Sequence, residues 1–148
     1  MGETMKKILL LHGPNLNWLG KRDASLYGGL TLKELEQFTQ AEAHKVGLAL
    51  QCYQSNHEGR LIDKIQAASP SCHGLICNFG ALSHSSYALH DALIDCQLPA
   101  VEVHLSQIKE REVWRRHSVT APACLQLISG KKEKGYTEAI SLLAEHLK

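Results

Sequence analysis

Tyr27 stands five residues after Arg22 in HGPNLNWLGKRDASLYGG, and Glu102 stands two residues before His104 in PAVEVHLS. Each pair joins a proton-transfer group to a charge that alters its chemistry. A phenol is a poor base near neutrality because it ionises only around pH ~10. One guanidinium about 5 Å away stabilises a phenolate by roughly 3 kcal/mol at an effective dielectric of ~20, enough to make it usable. Residues two apart on a strand project from one face, which puts Glu102 beside His104. The carboxylate orients the imidazole and favours the imidazolium, the form that donates a proton. Spacing alone favours the plainer reading of Tyr27 as a packing ring with Arg22 solvated, and allows His104 equally to be structural.

Other residues add binding chemistry. Asn15 lies in the first loop, where it could position a water or hydroxyl. In NFGALSHSSYALHDAL, Asn78 closes an apolar run and Gly80 permits close backbone approach. Ser83 reads as an N-cap, which would set His84 and Ser85 at the positive end of a helix, an anion site. Asp91, about 10 Å further along that helix at ~1.5 Å per residue, points to a neighbouring subunit's pocket rather than its own. Ser106 follows EVHL where loop N–H groups could hold a carboxylate. KEREVWRRHS reads as a charged helical turn, with Arg111 and Arg115 four apart and Glu112 between them, and one arginine placed to clamp a carboxylate. There is no HExxH, no Cys/His zinc spacing, no P-loop lysine, no acidic cluster for magnesium and no GxGxxG. A reaction without metal or cofactor is the expectation.

Five short apolar runs must position these groups: 6–12, 48–54, 73–78, 99–105 and 124–130. They alternate with amphipathic segments, among them TLKELEQFTQAEAHKVG, capped by Thr31 with Glu34 and ended by Gly47. HEGRLIDKIQAAS, SHSSYALHDALIDC and YTEAISLLAEHLK also have helical spacing. A strictly alternating β-α pattern predicts one parallel sheet with helices on both faces. For five strands the flavodoxin-like order 2-1-3-4-5 is expected, a three-layer α/β sandwich with its site in the loops after strands 1, 3 and 4. The unusual residues fall in those loops.

The 148 residues fit a single domain, 1–148, with 1–4 as a disordered leader or tag remnant. Sixteen Lys+Arg against 15 Asp+Glu give a net charge of +1, which predicts neither nucleic acid nor a membrane surface as partner. No apolar stretch is long enough to span a bilayer. Five cysteines without a CxxC suit a reducing cytoplasm, with Cys52, Cys77 and Cys124 expected to be buried hydrophobes.

Taken together, LHGPNLNWLGKR, LYGG, QSNHEG, NFGALSHSSYALHDAL, PAVEVHLSQIKEREVWRRHS and KGY resemble the type II 3-dehydroquinate dehydratases over nearly the whole chain. The resemblance implies a flavodoxin-like subunit assembled as a dodecamer of trimers. It also implies reversible trans-elimination of water from 3-dehydroquinate to 3-dehydroshikimate, without metal or Schiff base, in aromatic amino acid biosynthesis. It makes Tyr27 the base, Arg22 its activator, His104 the acid oriented by Glu102, and Asn15 the holder of a water facing the enolate oxygen. Asn78, His84, Leu105, Ser106 and Arg115 would bind substrate, Arg111 would sit on a lid with Arg22, and Asp91 would come from an adjacent subunit. The departures are His12 for the usual Asn, Asp23-Ala24-Ser25 for a Glu-Pro, His90 for Arg, Trp114 for Phe, and SGKKEKGY without Gly-Phe-Gly. The competing reading is a non-catalytic flavodoxin-like module binding FMN or phosphate. Pro14, Leu16 and Trp18 in the first loop disfavour FMN, and His12-Gly13 at the first strand end disfavours a phospho-receiver.

Overall fold

Every strand of the sheet runs parallel, in the order β2-β1-β3-β4-β5. The computed structural model describes residues 4–148, so the leader expectation falls largely outside the described residues. The strands are β1 (Lys6–His12), β2 (Leu48–Gln54), β3 (Gly74–Asn78), β4 (Ala100–His104) and β5 (Gln126–Ser129). β1 and β2 match the apolar runs residue for residue, whereas the other three runs overshoot by one to two residues at one or both ends. The helices are α1 (Ala24–Tyr27), α2 (Leu32–Lys45), α3 (Glu58–Ala68), α4 (Tyr87–Cys96) and α5 (Lys134–His146).

Alternation along β1 sorts the core into two layers, as the pleat requires. Ile8 and Leu10 pack with Leu35, Ala43, Ile140 and Leu143, from α2 and α5. Leu9 and Leu11 pack with Leu61, Ile65, Leu89 and Leu93, from α3 and α4. All four β1 side chains are fully buried, which is why the run is continuously apolar rather than alternating. The chain is thus a flavodoxin-like α/β sandwich.

Thr31 begins α2 as expected. Its hydroxyl accepts from the Glu34 N–H at 3.2 Å, and the Glu34 carboxylate accepts from the Thr31 N–H at 3.0 Å. Such a reciprocal cap contributes about 1 kcal/mol. Gly47, at φ 77°, ends the helix in the left-handed region that glycine adopts freely.

Two expectations are corrected. No α-helix joins β4 to β5. The chain makes three separate 3-10 turns there, Ile108–Glu110, Val113–Arg115 and Ala121–Ala123. Four β-branched residues, Ile108, Val113, Val119 and Thr120, disfavour helix in this stretch, and Pro122 lacks the N–H a longer helix needs. Arg111 and Arg115 are therefore not successive turns of one helix. The cysteine expectation also fails in part: all five are free thiols, Cys77 is fully buried, but Cys52 and Cys124 are only half-buried. β2 is an edge strand with one neighbour, and Cys124 precedes β5 rather than lying within it.

Candidate active site

The carboxyl ends of β1, β3 and β4 meet around a cleft of about 490 Å³ that opens to solvent. Parallel register brings them level, with His12 of β1 paired to Asn78 of β3 on one side and to Gln54 of β2 on the other. Two glycines let the first and third loops pack face to face. A Cβ on Gly13 would lie 2.4 Å from the Phe79 carbonyl oxygen, and one on Gly80 would lie 2.9 Å from that of Pro14.

The first loop carries Asn15 in a left-handed conformation at φ 70°. The QSN stretch holds it: the Asn15 N–H donates to Asn56 Oδ1 at 3.0 Å, and Gln54 Nε2 donates to the Gly13 carbonyl at 3.2 Å. Further along, Asp23 caps the short α1 by accepting from the Ser25 N–H and hydroxyl. Those two bonds, the hydroxyl's first, draw the Asp23 carboxyl below the usual carboxylate range. Tyr27 ends that turn and faces the cleft. The Arg22 guanidinium carbon lies 3.7 Å from the Tyr27 ring centroid, and that of Arg111 lies 5.1 Å from it. Arg22 stacks on the ring rather than standing off it. A phenolate spreads negative charge into its ring, so a stacked cation favours it more than the neutral phenol.

On β4, Glu102 and His104 share a face as the spacing requires. His104 Nε2 lies 2.8 Å from Glu102 Oε2, and both residues are buried. Two residues that sequence reasoning missed complete this pair. Ser118 Oγ donates to Glu102 Oε2 at 2.6 Å, and Thr120 Oγ1 donates to Oε1. Both oxygens of this fully buried side chain thus find hydrogen-bond donors, which offsets the cost of taking it out of water. With Nε2 engaged by Glu102, Nδ1 of His104 is the nitrogen left for a ligand.

His84 lines the cleft, but not for the expected reason. Ser86, not Ser83, caps α4, accepting from the Leu89 N–H at 3.0 Å. Ser83 is fully buried and donates to the Gly80 carbonyl at 2.8 Å inside a 3-10 turn, Gly80–His84. His84 therefore stands outside the helix, and the helix-terminus anion site does not form there. Instead, its Nδ1 lies 2.8 Å from the His117 carbonyl, and its ring stacks on His104 at 5.9 Å between centroids. Burial first, then the nearby His104 and Arg115 charges, hold its pKa below the ordinary imidazole range, against the opposing pull of the His117 carbonyl. A neutral imidazole whose Nδ1–H donates to that carbonyl offers Nε2 as an acceptor.

Asn78 is locked at both ends of its amide. Nδ2 donates to the Tyr136 hydroxyl at 3.1 Å, and Oδ1 accepts from the Gly80 N–H at 3.1 Å. Tyr136, fully buried with its hydroxyl pKa raised by burial, is another support the residue pattern did not reveal. Arg111 donates to Ser106 Oγ at 3.2 Å, bridging the strand end to Tyr27. Arg115 Nε donates to Glu112 at 2.6 Å, which pulls the Glu112 carboxyl below its usual range and leaves the arginine's outer nitrogens available.

Ten of the twelve singled-out residues line the cleft: Asn15, Arg22, Tyr27, Asn78, His84, His104, Leu105, Ser106, Arg111 and Arg115. Glu102 sits behind His104. Asp91 lies outside, on α4, its side chain 76% exposed and 3.2 Å from His90. Among the described residues, three arginines and no carboxylate line the cleft, an arrangement suited to a small anion.

The fold and cleft define a flavodoxin-like α/β protein with a tyrosine, two histidines and three arginines gathered in one cleft at the carboxyl ends of its strands. The family model described as dehydroquinase class II matches residues 6–144. A 3-dehydroquinate dehydratase of Bacillus cytotoxicus is 48% identical over 97% of this chain and 98% of its own. Crystal structures of type II dehydroquinases from Butyrivibrio crossotus and Propionibacterium acnes superpose with TM-scores of 0.91, at 42% and 35% identity. These cover 94% and 97% of this chain, and 97% and 99% of theirs. The chain belongs to the class II dehydroquinase family.

Proposed function

We propose that this chain is a 3-dehydroquinate dehydratase that removes water by way of an enolate, as a single domain acting in aromatic amino acid biosynthesis. The observation that carries the reading is the placement of Tyr27, stacked beneath Arg22, in one cleft with a Glu102-backed His104.

In this reading the substrate carboxylate lies among the arginines and the loop after β4, and its hydroxyls meet Asn78 and His84. The Tyr27 phenolate takes a proton from the carbon next to the ketone, leaving an enolate. Arg22, and a water held by Asn15, stabilise the negative charge as it passes from phenolate to enolate. The enolate then expels the neighbouring hydroxyl, which leaves as water with a proton from His104. Tyr27 now holds one proton more and His104 one fewer, so transfer between them through solvent restores both. Glu102 orients the His104 ring through its bond to Nε2, and Ser118 and Thr120 keep Glu102 in place. The chemistry asks for neither a metal nor a lysine Schiff base. The reading includes a cytoplasmic homo-oligomer, a dodecamer of trimers, with Asp91 reaching a neighbour's cleft. No helix among the described residues is long and apolar enough to cross a membrane.

The test is to add 3-dehydroquinate to the purified chain and follow the conjugated enone by absorbance, with EDTA or borohydride in parallel. Turnover unaffected by either is expected. Absence of turnover by the folded protein would overturn the proposal, and loss with borohydride would point to an imine.

A further inference from the structure

Away from the cleft, three donors of different chemistry converge under the open edge of the sheet. His12 ends β1, Cys52 lies in β2 in register with Leu10, and Glu36 lies on α2, which covers that face. His12 Nε2 is 3.1 Å from Glu36 Oε2, and the ligand atoms of all three residues lie within 4.8 Å of one another. None of the three lines the cleft.

We propose that His12, Glu36 and Cys52 form a structural site for a divalent first-row cation, zinc foremost, that ties β1, β2 and α2 together.

The donor set is one imidazole, one carboxylate and one thiolate, the mixture that suits a cation of borderline softness. Tetrahedral zinc, with bonds of about 2.0–2.3 Å, holds neighbouring ligand atoms roughly 3.3–3.7 Å apart. Closing the present triangle asks for shifts of an ångström or so. Glu36, its side chain 26% exposed, has room to supply them and leaves its open side for a water as fourth ligand.

Charge favours the same occupant. Glu36 pairs with no lysine or arginine among the described residues, only with His12. A divalent ion would supply the missing positive charge, and the Cys52 proton would pass to solvent as the sulfur–metal bond forms. His12 is fully buried, and in the metal-free chain its Nε2–H donates to Glu36 Oε2 while Nδ1 has no hydrogen-bond partner among the described residues. Binding a cation would move that proton to Nδ1 or to solvent and turn the Nε2 lone pair to the ion. The cluster of Cys77, Glu102 and Cys124 is the weaker candidate, because both Glu102 oxygens already accept hydrogen bonds.

Cobalt(II) titration of the metal-stripped, reduced full-length chain tests this directly. One equivalent should bind with tetrahedral visible bands and a near-ultraviolet sulfur-to-cobalt charge-transfer band, all displaced by zinc. Cys52→Ser should abolish the charge-transfer band, and His12→Asn and Glu36→Gln should each weaken binding at least ~10-fold. The Cys77→Ser/Cys124→Ser double variant should keep the band. Absence of the band in the unaltered chain overturns the proposal, as does its survival in folded Cys52→Ser or its loss in the folded double variant. If Cys52→Ser does not fold, the partly exposed Glu36→Gln decides, since unchanged cobalt affinity there also overturns the site.

Discussion

His104 and Glu102 meet at 2.8 Å with both residues buried, and the carboxylate is held from behind by Ser118 and Thr120. That relationship gives two hydroxyls outside the cleft a measurable role. Thr120→Val leaves Glu102 Oε1 buried without its donor, which should cost about 1–3 kcal/mol of stability. On the proposed mechanism it should also lower kcat with little change in KM, because His104 would be mispositioned as the acid while the substrate contacts remain. Thr120→Ser should restore both. Urea unfolding with steady-state kinetics checks this, and an unchanged kcat in folded Thr120→Val would count against the positioning role.

Tyr27 and Arg22 give the second prediction. On the proposed mechanism Tyr27→Phe removes the base, so turnover should vanish while the fold persists. Arg22→Gln removes a charge worth roughly 3 kcal/mol to a phenolate, which corresponds to a loss of about 10²-fold in kcat. Arg22→Lys should recover only part, since a point charge does not stack on the ring as a planar guanidinium does. Exchange of the proton next to the ketone, followed by NMR, isolates this step. Exchange at the normal rate in Tyr27→Phe would assign the base elsewhere.

These two pairs show what was legible in the sequence and what was not. Pairs along one local element could be read directly: Glu102 with His104 by strand alternation, and Thr31 with Glu34 by the spacing of a capping box. The burial of β1 on both faces made its bounds plain as an unbroken apolar run. Supports that cross the fold left no local mark. Thr120 meets Glu102 across 18 residues, and Tyr136 meets Asn78 across 58. Ser83 misled because SHSS offers three serines able to cap. The choice of Ser86 is made by what Ser83 finds instead, the Gly80 carbonyl within its own 3-10 turn. KEREVWRRHS misled because i,i+4 charges suggest helix, while the β-branched residues and Pro122 spread between β4 and β5 break that connection into 3-10 turns.

His84 supplies a pH prediction. Its folded-state pKa is lowered, so as pH falls below about 6.5 the unfolded chain takes up the proton first. This contribution therefore erodes stability progressively below that pH, down through the folded-state value, and has no effect above it. Protonation of the folded form also removes the Nε2 acceptor, so KM should rise on the acid side. His84→Gln keeps an acceptor and does not titrate, so its KM should vary less with pH. Parallel KM–pH profiles of the two proteins check this, and identical acid limbs would remove His84 from substrate binding.

Gly80 and Gly59 make a matched pair of backbone tests. Gly80 sits at φ 59°, and a Cβ there would lie 2.9 Å from the Pro14 carbonyl oxygen. Gly80→Ala thus combines left-handed strain with a backbone collision, at a cost of about 1–3 kcal/mol. The relief available is movement of Pro14, which would carry Asn15 with it and lower activity beyond the loss of stability. Gly59, within α3, has nothing within 4 Å of its virtual Cβ. There the same substitution adds helix propensity and should stabilise by roughly 0.5–1 kcal/mol with normal kinetics. Thermal unfolding and kcat/KM of the two variants check the contrast. If Gly80→Ala proved as stable and active as the parent, the close packing of the first and third loops would not be what positions Asn15.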